Sequence, residues 1–335
     1  MKRIFFHKKQ VFSLVALLGC LLLLTACDNA SGEVGEAKET ARPEINHEKI
    51  VSEKDLSQVQ VYFSTIDGNN LLPLTYAVNP TKEGVTIALE KLLAGPPNDY
   101  VKATGPDDCK LKEVYQAEGI IYVNLTNQAN NVAAEQVPLM LKSIATTVGG
   151  IVPDAQVCLL IEDQPIDSLA GVEINMPLTQ SSINYYGTNE NADEATRQEV
   201  TIYFSDAENM YTVPITVDFI NAKSEELPLQ ALNELVAGPP KDSGLNPALW
   251  PGTVVNSFEL KDNCAHIDFN ENLIAYGGGS AAENALVEGL SRTLFQFEGI
   301  GQLQISINGV VQEELPEGTL VSSIVKPLYP INHVD

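Results

Sequence analysis

The sequence predicts an α+β fold: two tandem similar domains, each a mixed β-sheet with two helices packed on one face, in the order β-β-α-β-β-α-β. Three observations predict it. Val59-Gln60-Val61-Tyr62-Phe63-Ser64 recurs as Val200-Thr201-Ile202-Tyr203-Phe204-Ser205, and further matches follow in order at an offset that creeps from 141 to 146 residues. Within each copy the apolar period switches between that of a strand and that of a helix. Each copy carries two helical stretches, too few to cover both faces of a doubly wound sheet. The repeat is too long for a solenoid unit and has the size of a domain.

The elements can be read in turn. Val59, Val61 and Phe63 alternate, so the first element is a half-buried strand. Leu72-Pro73-Leu74-Thr75 matches Val213-Pro214-Ile215-Thr216, and Leu74, Tyr76 and Val78, like Ile215, Val217 and Phe219, give a second strand. Val85, Leu89, Leu92 and Leu93 then fall on one helix face, as do Leu229, Leu232, Leu235 and Val236. Leu92-Leu93-Ala94-Gly95-Pro96-Pro97 matches Leu235-Val236-Ala237-Gly238-Pro239-Pro240. Gly95 and Gly238 stand where a helix takes a left-handed cap, and the prolines forbid continuation. Two strands follow, turning at Glu118-Gly119 and Asp262-Asn263. The second helix carries Val137, Leu141, Ile144 and Val148, or Leu286, Leu290, Leu294 and Phe297, and Pro138 falls in its tolerant first turn. A last strand presents Val157, Leu159 and Ile161, or Leu303, Ile305 and Ile307, and Asn308-Gly309 makes a hairpin turn.

The amino terminus has a different character. Lys2, Arg3, Lys8 and Lys9 precede an apolar run from Val11 to Leu24, and Leu24-Thr25-Ala26-Cys27 follows. The run of 14 residues is shorter than the roughly 20 a membrane span needs, so it reads as a secretory signal. The order Leu-Thr-Ala-Cys resembles the bacterial lipobox, which implies a diacylglyceryl thioether on Cys27 and cleavage before it. The expected division is a signal peptide at 1–26, a lipidated flexible linker at 27–56, a first domain at 57–186, a join at 187–197 and a second domain at 198–332. Asp28 to Asp55 holds no aromatic residue and eight acids, too little apolar surface to order itself. As a coil it spans roughly 30 Å, enough to lift a domain off the extracytoplasmic face of the membrane.

Charge excludes one class of partner. The chain has 20 basic and 44 acidic residues, and the signal removes four bases and no acid. Such a surface repels phosphate backbones, so nucleic acid is not a partner. Anionic lipid is repelled too, and acyl chains must hold the protein to its membrane. Beyond Cys20 in the signal and Cys27, only Cys109, Cys158 and Cys264 remain. One disulfide among them stays open, while Cys158, in an apolar strand, reads as a buried thiol.

No constellation of catalytic chemistry emerges. Cys264-x-His266 lacks further ligands at metal-binding spacing. Gly277-Gly278-Gly279-Ser280 has no lysine after it and meets Glu283, so it reads as a flexible lead into a helix and not as a phosphate loop. No Gly-x-Ser-x-Gly elbow occurs, and carboxylate pairs are too numerous for any to be nominated. The expectation is a protein without catalytic residues, cofactor or metal.

The second copy resembles the GerM domain of sporulation and spore-germination lipoproteins from endospore-forming bacteria. The resemblance rests on Leu235-Val236-Ala237-Gly238-Pro239, Ile267-Asp268-Phe269, Thr293-Leu294-Phe295-Gln296-Phe297, Ile305-Ser306-Ile307-Asn308-Gly309 and Glu314-Leu315-Pro316-Glu317-Gly318. The first copy keeps Leu92-Leu93-Ala94-Gly95-Pro96 but lacks the Gln-Phe pair and has Asp163-Gln164 where Asn-Gly is expected. The resemblance implies a non-enzymatic extracytoplasmic domain, similar to the ring-building domains of envelope assemblies, whose partners are other envelope or sporulation-complex proteins. A homo-oligomer stays open. The alternatives are a solute-binding lipoprotein of a transporter, which the repeat pattern opposes, and a cell-wall hydrolase, which only the compartment favours.

Overall fold

A computed structural model describes residues 47–187, 196–275, 279–322, 324–326 and 328–334. The signal, Cys27, the linker up to residue 46, and residues 188–195 of the join lie outside the described residues. In the first copy β1 (Leu56–Ser64) and β2 (Leu71–Thr81) form an antiparallel hairpin, followed by α1 (Gly84–Ala94). Then come β3 (Leu111–Ala117), β4 (Ile120–Leu125), α2 (Val137–Gly149) and β5 (Gln156–Ile161). Three two-residue strands, β6 (Gln164–Pro165), β7 (Ser168–Leu169) and β8 (Val172–Glu173), close the copy.

The second copy repeats the plan as β9 (Arg197–Ser205), β10 (Thr212–Ile220), α3 (Leu227–Ala237), β11 (Val255–Lys261), β12 (Cys264–Phe269), α4 (Gly279–Leu294) and β13 (Gln302–Ile307). Short strands β14 (Val310–Val311), β15 (Ile324–Val325) and β16 (His333–Val334) end it. The β-β-α-β-β-α-β order thus holds in both copies, each with mixed pairing: β3–β4 antiparallel and β4–β5 parallel, as β11–β12 and β12–β13.

The strands of a copy are divided between two ladders, the β1–β2 or β9–β10 hairpin and the mixed sheet, where one sheet was expected. The reason is visible at the hairpin's outer edge, which the second helix occupies with side chains. Tyr62 N–H donates to Thr147 Oγ1 and Ser143 Oγ donates to Tyr62 C=O. In the second copy Tyr203 N–H donates to Thr293 Oγ1, and the Gln296 amide bonds both the N–H and the C=O of Thr201. Gln296, part of the family-like motif, therefore acts as a substitute strand. A Cβ on Gly289, the counterpart of Ser143, would stand 2.6 Å from Ala248 Cβ and 3.1 Å from Tyr203 O, so the helix sits hard against β9.

Each copy has its own core. Val61, Phe63, Leu72, Leu89, Val123, Ile144 and Leu159 fill the first, and Ile202, Leu232, Leu235, Phe269, Leu290 and Ile305 the second. Four sequence expectations need correction. Leu229 is exposed, because α3 begins at Leu227 and turns Leu227, Ala231, Leu232 and Leu235 inward. Phe297 packs beyond the end of α4, which stops at Leu294. Cys158 is only half-buried, since it lies on the outer face of β5, while the thiols of Cys109 and Cys264 are the buried ones. Residues 47–55, expected as the end of a flexible linker, are fixed on the first copy. Ile50 is buried in its core, Glu48 pairs with Gln116 on the edge of β3, and His47 stacks on Tyr115 at 3.8 Å.

Gly95 and Gly238 end α1 and α3 as expected, but with φ 88° and 90° and ψ 172° and 175°. That extended region at positive φ is accessible essentially to glycine alone. No atom lies within 4 Å of a Cβ built at Gly95, so backbone strain and not crowding decides. Gly95→Ala and Gly238→Ala are each expected to cost about 1–3 kcal/mol, measurable by urea unfolding. An unchanged midpoint would show that the loop relaxes freely.

Candidate functional site

The most elaborate arrangement of polar groups lies where the two copies meet. Pro73 pairs with Tyr62 across the first hairpin and Pro214 with Tyr203 across the second. The β1 and β9 partners turn their backbone groups toward the helices, so each proline faces away from its hairpin. A proline offers no N–H to a further strand, and both prolines lie on the edges that face the other copy. The recurring Leu-Pro and Val-Pro pairs therefore mark the junction.

Asn184 and Asn332 bridge it, in a reciprocal pattern. Asn184 Oδ1 accepts from Leu71 N–H at 2.7 Å, and its Nδ2 donates to Leu71 O and Pro214 O, both at 2.7 Å. Asn332 Oδ1 accepts from Thr212 N–H at 2.8 Å, and its Nδ2 donates to Thr212 O at 2.7 Å and Pro73 O at 2.8 Å. The main chain follows suit: Thr216 N–H donates to Asn184 O, and Thr75 N–H to Asn332 O. Leu71, Pro73 and Thr75 correspond to Thr212, Pro214 and Thr216 in the repeat, so each copy's tail crosses to tie both hairpins together. Both asparagines hold positive φ, 44° and 47°, a conformation Asn tolerates better than most residues. Sequence reading missed this pair; the recurring Ile183-Asn184 and Ile331-Asn332 was the available signal.

The junction is also packed. Val213 of β10 is fully buried in the core of the first copy. Asn70 Nδ2 donates to Ser243 O, and Tyr186 OH donates to Asn70 Oδ1. Burial, with Tyr203 nearby, pushes the Tyr62 hydroxyl up to about 12. Grooves flank the contact. One of about 540 Å³ is lined by Tyr62, Gln156, Gln180, Glu199 and Thr201. Another of about 440 Å³ runs past Tyr211, Ala285, Glu288 and Arg292.

A second cleft occurs at the same place in each copy, between the loop after the first helix and the start of the second. In the first copy Asp67, Lys102, Thr104 and Glu135 make it polar. In the second copy Pro247, Leu249, Trp250, Ala281 and Ala285 make it apolar, and Trp250 is 43% exposed. Equivalent surfaces thus differ in chemistry.

The residues singled out from the sequence are not gathered into a common site. Cys27, with Gly277 and Gly278, lies outside the described residues. His266 Nδ1 lies 2.7 Å from Gln304 Oε1 on the outer face of the second sheet. Glu283 is buried, and its carboxylate accepts from the N–H groups of Glu317 and Thr319, so it pins the loop before β15. Asn308-Gly309 makes the expected two-residue turn between β13 and β14. Its counterpart in the first copy is Glu162-Asp163, one residue earlier than expected, both at positive φ. Lys112 bonds both carboxylates there and holds each below the usual carboxylate range. Those pairs are on the surface and add little stability.

The thiols yield a direct check. Burial pushes the Cys109 thiol up to about 11, with the Thr126 hydrogen bond opposing, and the thiolate is the reactive form. In the native chain, maleimide at neutral pH is expected to modify half-buried Cys158 before Cys109 and Cys264, as read by peptide mass spectrometry. Equal rates at all three would mean that the cores open readily.

The family model described as Germane, sporulation and spore germination, matches residues 60–167 and 201–325. The chain is 24% identical over 254 residues to the spore germination protein GerM of Bacillus subtilis (strain 168), a stretch that covers 71% of this chain and 67% of that protein. Among solved structures, the tandem GerMN domains of the sporulation protein GerM from Bacillus subtilis align with a TM-score of 0.57 at 22% identity, covering 81% of this chain and 96% of that one. The first GerMN domain of that protein aligns with a TM-score of 0.32 at 27% identity, over 38% of this chain and 98% of the other.

Proposed function

The chain belongs to the Germane family, with two tandem copies of its domain, and from this premise we propose that it acts in sporulation or spore germination as a membrane-anchored, extracytoplasmic, non-enzymatic scaffold. The observation that carries the scaffold reading is the reciprocal junction. Two copies of one module are held in a fixed relation by buried hydrogen bonds, and their outward surfaces differ. A partner engaging one copy brings any second contact to a high effective concentration on the other. Cys27 is the proposed lipid attachment, which leaves residues 28–46 as a tether to the outer face of the cell membrane.

In an endospore-forming host, deletion of the gene is expected to impair sporulation or germination and leave vegetative growth unchanged. Cys27→Ala should release the protein from the membrane fraction or leave its precursor uncleaved, with the same developmental defect. The second copy matches the family motifs more fully, so it is proposed to carry the main partner contact. Normal sporulation together with normal germination after deletion would refute the assignment to this process. Soluble fragments released from peptidoglycan would refute the non-enzymatic reading, and stoichiometric zinc in the purified protein would refute the expectation of no metal.

A further inference from the structure

The two mixed sheets are equivalent, yet their outer edges are treated differently. In the first copy the edge of β3 is occupied. Glu48 N–H donates to Gln116 O, Gln116 N–H donates to Glu48 O, and the pairing is antiparallel. His47 stacks on the outward-facing Tyr115, which in turn stacks on Tyr122. A short extended segment thus adds a strand to this edge, seated on an aromatic face.

The counterpart of β3 is β11, and the correspondence is close. Both strands carry a bulge at the same place, Leu111/Glu113 and Val255/Ser257. Gln116 faces Ile121 across its ladder, and Leu260 faces Ala265 across the other. The backbone N–H and C=O of Leu260 and Phe258 therefore point outward, as those of Gln116 do, but nothing among the described residues bonds them. Leu260 is 45% exposed and the strand is exposed along most of its length. The aromatic face of the first copy is replaced here by Glu259 and His266. A seven-residue edge in this state is a template for pairing that proteins normally cover or blunt.

We propose that the outer edge of β11 is the docking site for an extended segment of a partner protein, which joins the sheet as an antiparallel strand carrying alternating apolar and basic side chains. Main-chain hydrogen bonds supply affinity in such strand addition, and alternate side chains supply selectivity. The apolar positions would meet Leu260, and the basic ones Glu259. The chain's excess of 44 acids over 20 bases favours a basic partner and opposes a second copy of this chain. The proposal deepens the scaffold reading and rests on it.

The test uses the mature chain and the synthetic peptide Lys-Val-Lys-Val-Lys-Val-Lys. At saturation the amides of Phe258 and Leu260 should exchange at least tenfold more slowly, while Glu259 and Lys261, already facing β12, change little. Leu260→Pro removes the outward donor and leaves the ladder to β12 intact, so it should abolish the protection. Leu260→Lys, which keeps the backbone and charges the edge, should weaken it. The peptide with Glu in place of Lys should not bind. Undiminished binding to Leu260→Pro, or protection spread over other acidic surface, would reduce the effect to bulk electrostatics and overturn the proposal. So would absence of binding. Protection of Leu260 without peptide, rising with protein concentration alongside a dimer in sedimentation, would make the occupant a second copy and also overturn it. In cells, normal sporulation and germination of Leu260→Lys beside a defective deletion strain would sink the edge and spare the scaffold; normal sporulation and germination of both would sink the scaffold itself.

Discussion

Asn184→Ala is expected to destabilise the chain by about 3–5 kcal/mol, a large share of the stability of any domain. The side chain is buried and makes three hydrogen bonds, two of them to Leu71, which is itself fully buried. Each buried backbone group left without a partner costs about 1–3 kcal/mol. The positive φ adds roughly 1 kcal/mol against alanine. Asn332→Ala removes an equivalent set of bonds but from a half-buried position, where water can replace part of them, so a smaller loss is expected. Asn184→Asp should be worse than Asn184→Ala at neutral pH, because a carboxylate would face Leu71 O and Pro214 O with no proton to donate. Urea unfolding monitored by circular dichroism measures all three. A loss for Asn184→Ala below about 1 kcal/mol, the typical net worth of a single hydrogen bond, would mean that the junction is held by packing alone.

The repeat made the fold legible, and the junction shows where legibility ended. Period-two and helical spacings located the strands and helices because burial imposes those periods on the chain. The turns at Glu118-Gly119 and Asp262-Asn263 were readable because positive φ selects Gly and Asn. Apolar pattern is blind to hydrogen bonding, however. It could not show that Thr147, Thr293 and Gln296 take the place of a strand beside β1 and β9 and so split one sheet into two ladders. Nor could it show that Asn184 and Asn332 act across the copies, since the repeated Ile-Asn pair in each short tail is a two-residue match that no strand or helix period marks out. Glu48 was hidden for the opposite reason. A low-complexity, acidic stretch reads as coil, and a single buried Ile50 with one aromatic partner for His47 was enough to fix its end. Leu229 was misplaced because helix spacing defines a face only once the first residue of the helix is known.

The coupling between the copies makes the largest expected effect one that crosses the junction. Leu235 is fully buried at the centre of the second core, and an unpaired carboxylate there is strongly unfavourable. Leu235→Asp should cost about 4 kcal/mol or more, the range reserved for buried-charge defects, and unfold the second copy. The first copy cannot remain as it was. It would lose Val213 from its core, the bond from Asn332 Nδ2 to Pro73 O, and the acceptors of the Thr75 N–H and hydroxyl at Asn332 O and Ile331 O. Thr75 is fully buried, so these losses expose a polar edge that the fold has no means of pairing. The wild-type chain should therefore unfold in one transition, and Leu235→Asp should speed amide exchange in β2 as well as throughout residues 196–334. Leu92→Asp should do the converse at the Thr216 amide, whose acceptor Asn184 O belongs to the first copy's tail. Hydrogen-exchange mass spectrometry on β2 peptides separates the outcomes. Wild-type protection of β2 in Leu235→Asp would show two independent beads on one chain, and would remove the fixed geometry on which a two-surface scaffold depends.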